Sequence, residues 1–277
     1  MSTQPNLGPA ELLPNGKISY ASGDGVALVT LTNAPANGYS HEMMLDLDQA
    51  ILRARFDESV HVIVLAGAGE KFFCAGADIG VLREMTPTYK YAFCLHANET
   101  MLRLEHTPKL VIAALGGHCV GGGLEVALAA DMRFAQRGSG KCGLPEVALG
   151  VLPGTGGTQR LARKIGSSKA IDLMTSGRMF DYDEAERMGI VERLLDADSG
   201  EAFLEKVLEM AGSYCPPHKA GLSVGLIKRA VQSGADLPLE SGLALERELQ
   251  QRLFQSADAR EGLAAFEEKR APQFEGR

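Results

Sequence analysis

The stretch CVGGGLE, residues 119–125, sets a carboxylate two residues after three consecutive glycines. Glycine lets backbone approach a neighbour closely and takes up positive φ, at an entropic cost that needs a physical return. An apolar strand-like run, LVIAAL at 110–115, precedes the glycines, and a helical run, LEVALAA at 124–130, follows them. A strand, a glycine loop and a helix start leave the first N–H groups of that helix without partners, a place that favours negative charge. Three uses of such a loop are open: a tight turn, a phosphate cradle, or a backbone site for an anion. The phosphate-loop pattern G-x-x-x-x-G-K-[ST] occurs nowhere in the chain, which sets nucleotide phosphate aside. GSGKCG at 138–143 matches G-x-G-x-x-G, but Leu144-Pro145 follow and no helix opens, so it reads as a turn.

Outward from the glycines, the pattern strand, strand, helix repeats. Short β-prone runs at 17–21 and 25–32 flank Ser22-Gly23-Asp24, a hairpin turn. Met44, Leu47 and Ile51 fall at helical spacing and predict a helix over 40–56. HVIVL at 61–65 reads as a buried strand. After Phe72-Phe73, the face made by Phe93, Ala97, Met101 and Leu104 predicts a helix over about 88–106. The run at 110–115 with the glycine loop begins a third round. Beyond it the pattern becomes mostly helical. Ser167-Ser168 are positioned to cap a helix that stops at Gly177, Asp181 with Glu184 one that ends near Gly189, and Asp258 with Glu261 the last helix, with Leu263 and Phe266 facing inward. This divides the chain into a flexible start at 1–16, a core at 17–212, and a helical segment at 213–277, with Cys215-Pro-Pro217 at the joint.

Composition narrows the function classes. The chain has 277 residues, 45% hydrophobic and 23% charged, enough for one large folded unit. A formal net charge of −7 argues against nucleic-acid or anionic-membrane partners, which select excess Lys and Arg. Five cysteines, at 74, 94, 119, 142 and 215, form no regular framework, which fits a reducing, cytoplasmic location. No run approaches a membrane span, and the first residues lack the basic and apolar parts of a secretion signal. The histidines show no ligand-like spacing, so no metal is expected.

A second small-residue stretch, FCAGADI at 73–79, also closes an apolar strand. Two such loops can bring two backbone N–H groups onto one carbonyl oxygen. The carboxylates nearest such a site are Glu125 and Glu146, the latter in GLPEVALG, where Pro145 and Gly150 imply an irregular segment able to aim it inward. PGTGG at 153–157 reads as a turn into the helix TQRLARKI.

FCAGADI, GGHCVGGGLEVALAADMRFA and GLPEVALGVLPGTGGTQRLARKIG, in that order, resemble the enoyl-CoA hydratase/isomerase superfamily, also called the crotonase family. The resemblance runs from about residue 17 to the closing AFEEKR. It implies an α/β fold, a crotonase-like spiral of repeated ββα units with a C-terminal helical segment that joins trimers or dimers of trimers. It also implies an oxyanion hole made by the N–H groups of Ala77 and Gly122, Glu146 passing a proton to the substrate α-carbon, and Glu125 holding and activating water. Coenzyme A, part of the substrate rather than a cofactor, is expected along Ala75, Ala77, Asp78, Ile79 and Gly80, with Phe266 and Lys269 reaching in from an adjacent subunit. Gly80 stands where relatives often carry lysine, and Arg83 can supply part of that charge.

The function so implied is hydration of a 2-enoyl-CoA to a 3-hydroxyacyl-CoA. The alternatives are another reaction on the same scaffold, such as double-bond isomerisation or acyl-CoA decarboxylation, or a non-enzymatic, RNA-binding role. Two glutamates favour the hydratase. The RNA-binding branch carries a lysine comb on a helix, whereas 88–106 sets Lys90 and Arg103 among Glu99 and Glu105.

Overall fold

In a computed structural model, described over residues 4–77 and 79–277, the chain winds through successive strand pairs, each followed by helix. The first round holds β1 (Glu11–Leu12), β2 (Ile18–Gly23), β3 (Val26–Leu31) and α1 (His41–Phe56). The second holds β4 (Val62–Gly67), β5 (Phe72–Cys74), α2 (Ile79–Glu84) and α3 (Pro87–His106), and the third β6 (Leu110–Leu115), β7 (His118–Val120) and α4 (Gly122–Leu128). A fourth, hidden from the periodicity, holds β8 (Met132–Gln136), β9 (Lys141–Gly143), a 3₁₀ turn at Glu146–Leu149 and α5 (Gly157–Ile165). MRFAQ lacks the β-branched run that marks HVIVL and KCG is only three residues long, and both form strands by pairing with β6 and β7.

The topology explains the spiral. One sheet has the order β1-β2-β3-β4-β6-β8 and ends on β11 (Arg193–Leu195); the other has the order β10-β9-β7-β5, with β10 at Phe180–Asp181. In rounds two to four the first strand joins the large sheet and the second joins the small one. From β3 through β11 the large sheet is parallel, so its inner strands are covered on both faces and read as unbroken apolar runs, VIVLAG and LVIAAL. Met43, Met44, Leu47 and Ile51 of α1 join the larger core cluster, where α1 packs on β2, β3 and α3, while Phe203, Val207 and Leu208 of α8 (Gly200–Gly212) form a second cluster with Val62, Val64, Ile112 and Phe134.

Several capping expectations change. α6 (Ser167–Ser176) is capped by Gly166 with no side-chain bond, although Gly177 does close it in the left-handed region. α7 (Tyr182–Arg187) is capped by Asp181 as expected, its carboxylate accepting from Glu184 N at 2.8 Å. After Gly212 come α9 (Gly221–Gly234), α10 (Leu239–Phe254) and α11 (Ala257–Glu268). α11 is capped by Ser256, while Asp258 is buried and accepts from Glu275 N and Gly276 N, which ties down the C-terminal tail. Leu263 and Phe266 face outward rather than inward, Phe266 at 85% exposure. Within the segment 1–16, Glu11–Leu12 form β1 at the sheet edge and Leu13 is buried.

Buried charge locks the rounds together behind α4. The Arg133 guanidinium donates to Ile190 O at 2.7 Å, Ala130 O at 2.8 Å, Ala127 O at 3.2 Å and Glu192 at 2.6 Å. Lys228 of α9 donates to Lys109 O at 2.9 Å and Leu104 O at 3.1 Å and pairs with Asp131 at 2.9 Å, which bolts the C-terminal segment to the core. Removing one partner of a buried ion pair strands the other and the carbonyls around it. Arg133→Met is expected to lower unfolding free energy by about 3 kcal/mol, measured by urea denaturation.

Candidate active site

α4 is buried along its whole length, and its first turn brings the glycine loop to the wall of a cavity of about 680 Å³. Gly121 takes φ +54° as the residue before the helix, and Leu124 N and Glu125 N both donate to its carbonyl. At Gly123 the helix passes so close to β5 that a Cβ would lie 2.3 Å from Cys74 O, so no side chain fits there. The N–H of Gly122 is left over by the helix geometry. Neither it nor the N–H of Ala77 finds an acceptor among the described residues, and both residues line the cavity.

Two carboxylates share this cavity in opposite environments. Glu125 is buried; its Oε1 accepts from Gly157 N at 2.7 Å and Thr155 N at 2.8 Å, and its Oε2 accepts from the Thr155 hydroxyl. The PGTGG run expected to be a plain turn is thus the seat of this side chain. Gly157 must lack a side chain because a Cβ would come within 3.0 Å of Glu125 Oε1. Glu146 opens the 3₁₀ turn between Pro145 and the left-handed Gly150, the irregular segment anticipated from those residues. Its Oε1 occupies the space a Cβ on Gly121 would need, at 2.8 Å, and its Oε2 is buried with no partner among the described residues. Burial pushes the Glu146 carboxyl up to about 7; the charge of Glu125 acts the same way, while a backbone hydrogen bond and Lys90 oppose it.

Of the other expected residues, Ala75, Ala77 and Ile79 line the cavity together with Arg83, and Gly80 lies in α2 beside them. Asp78 lies outside the described residues. Phe266 and Lys269, at the end of α11, are not in the lining of their own chain's cavity. Tyr39, Lys90 and Thr155 are lining residues to which the sequence reading gave no chemical role. The double N–H of a G-T-G-G segment opening a helix was the available signal for Thr155. The rest of the lining is mainly apolar, with Leu82, Met85, Leu149, Val151 and Leu152, which suits an acyl group. Among the described residues no group of three or more potential ligands could hold a metal, and no helix is long and apolar enough to cross a membrane.

Fold and site together define an α/β spiral in which two carboxylates line one cavity with backbone N–H groups left without acceptors among the described residues. Residues 21–277 match the family described as enoyl-CoA hydratase/isomerase, and the chain belongs to that family. It is 35% identical over 246 residues to a short-chain-enoyl-CoA hydratase of Clostridium acetobutylicum, covering 88% of this chain and 92% of that one. It is also 35% identical over 241 residues to the mitochondrial methylglutaconyl-CoA hydratase of Homo sapiens, covering 87% and 70% respectively. Among solved structures, an enoyl-CoA hydratase from Geobacillus kaustophilus superposes with a TM-score of 0.90 at 42% identity, covering 94% of this chain and 97% of that one.

The raised carboxyl has a stability consequence. Glu146 ionises near 4.5 when unfolded and near 7 when folded, so the stability present below 4.5 is lost as pH rises to 7. Glu146→Gln, which stays neutral, is expected to match the wild type in urea midpoint near pH 4 and to exceed it at pH 8.

Proposed function

We propose that this chain is a 2-enoyl-CoA hydratase, adding water across a conjugated double bond to give a 3-hydroxyacyl-CoA. The observation that carries the reading is the split between its two carboxylates: one supplied with three donors, the other desolvated and able to hold a proton near neutral pH. Environments that separate two acids in this way separate their roles.

In the proposed reaction the thioester oxygen accepts from the N–H groups of Ala77 and Gly122. Water, held against Glu125, attacks the β-carbon and gives Glu125 a proton as the π electrons move onto that oxygen. The enolate then takes the Glu146 proton at the α-carbon, and transfer of the proton from Glu125 back to Glu146 closes the cycle, so one water is consumed. Each preorganised donor to the developing oxyanion is typically worth about 3 kcal/mol. Because α4 is packed on every side, its N–H needs no reorganisation.

The coenzyme A chain is proposed to follow Ala75, Ala77, Asp78, Ile79 and Gly80, with Arg83 at the cavity wall. Phe266 and Lys269 would complete the site of a neighbouring copy in a homotrimer or a dimer of trimers. Supporting this, α10 carries no buried side chain, and Leu239, Phe254, Leu263 and Phe266 present apolar surface that an assembly would cover. All five cysteines are free thiols, in keeping with the proposed cytoplasmic location.

The test is hydration of crotonyl-CoA, followed by loss of enoyl-thioester absorbance. Glu146→Gln is expected to lower kcat by about 10²–10⁴-fold. In the wild type, kcat/KM should fall above about pH 7 as Glu146 loses the proton it must deliver, and the variant should lack that limb. A wild type that binds crotonyl-CoA without hydrating it would point to a different reaction on this scaffold.

A further inference from the structure

Two buried polar atoms without a hydrogen-bond partner among the described residues belong to residues of the same cavity wall: Glu146 Oε2 and the Tyr39 hydroxyl. Glu146 is the proposed acid. The phenol takes part in no step derived above.

Packing accounts for the Tyr39 ring. Tyr39 is 3% exposed and meets Phe93 edge-on at 5.3 Å and 87°. Its ring lies across Gly122, where a Cβ would come within 3.2–3.4 Å of three ring carbons. Tyr39 N donates to Gly76 O at 2.8 Å, and the residue forms a β-bridge with Ala77, so one side chain and its backbone brace both loops that carry a free N–H. Phenylalanine would make every one of these contacts. The hydroxyl is what they leave unexplained, because a buried O–H with no partner is destabilising and is retained only where something else uses it.

Its surroundings indicate that use. Burial holds the phenol's pKa well up and the charge of Glu125 adds to it, while the Thr155 hydroxyl, in reach of the phenol though outside good hydrogen-bond geometry, draws it down. It therefore stands as a neutral O–H beside the Thr155 hydroxyl, which itself donates to Glu125 Oε2. A bound water needs two to four polar partners, and the residues of this cavity wall carry Glu125 together with Glu146 Oε2 and the phenol, both buried and unpartnered among the described residues.

We propose that Tyr39 is a positioning residue of the hydration site, its hydroxyl supplying a third hydrogen bond to the water that Glu125 activates. The inference rests on the hydratase reading. In the reacting arrangement the phenol O–H turns to Thr155 Oγ, and the phenol oxygen accepts the water O–H that is not transferred. Tyr39 neither gains nor loses a proton. Its role is to aim a lone pair of the water at the β-carbon, along a chain running from water through Tyr39 and Thr155 to Glu125.

The test is Tyr39→Phe, assayed for crotonyl-CoA hydration, for melting temperature, and for binding of butyryl-CoA, which has no double bond to hydrate. The expected result is a kcat lower by roughly three- to tenfold, the worth of one neutral hydrogen bond, with KM unchanged. Butyryl-CoA affinity should also be unchanged, and the melting temperature equal or higher. A merely structural hydroxyl would leave kcat alone, and that outcome overturns the proposal. A parallel loss of butyryl-CoA affinity would assign the hydroxyl to the acyl group and overturn its role toward water. A wild type that binds butyryl-CoA but does not hydrate crotonyl-CoA would overturn the hydratase reading, and the water role would fall with it.

Discussion

The structure depends on placing the N-terminus of a fully buried helix against a strand at a distance no side chain permits. α4 reaches the centre of the spiral because Gly123 lies where a Cβ would meet Cys74 O at 2.3 Å. The same close approach leaves the N–H of Gly122 beside the loop after β5, and Gly121 makes room for Glu146 Oε1. Three adjacent absences of side chain thus serve three different neighbours: a strand, a ring and an acid. Behind the helix, Arg133 takes up the carbonyls at its exit, which keeps a polar end inside the core without orphaned acceptors.

Electrostatics then sets two chemically identical side chains apart. Glu125 sits where two backbone N–H groups and a hydroxyl converge, all from the 155–157 segment. Glu146 sits with one oxygen against Gly121 and the other unsatisfied, half-buried and close enough to Glu125 to feel its charge. Nothing in the glutamate side chain distinguishes an acid from a base. Solvation and donors do, and both are properties of the assembled cavity.

The C-terminal segment has two characters. α9 belongs to the core: Gly225 is so close to Pro108 O that a Cβ would lie 2.0 Å away, and Lys228 is satisfied by two core carbonyls and Asp131. α10 has no buried side chain. It lies against α9, with Leu245, Leu249 and Leu253 partly covered and Leu239, Leu243 and Phe254 exposed, and that uncovered apolar surface is the physical support for the proposed assembly.

Local pattern alone determined the hairpin, the helices at α1 and α3, the buried central strands and the positions of Glu125 and Glu146, because these follow from periodicity, turn chemistry and short contiguous motifs. It missed β8 and β9, whose few residues become strands only when a sheet edge is present to pair with them. It set the caps of α6 and α11 on Ser167-Ser168 and Asp258, whereas Gly166 and Ser256 hold those places and Asp258 binds the chain terminus. It read PGTGG as a turn, since nothing within five residues reveals a carboxylate arriving from thirty residues away. Which carboxylates border the cavity was therefore written in the sequence; how each is solvated and bonded was decided by tertiary structure, because burial, shared donors and close backbone approach arise only when distant segments meet.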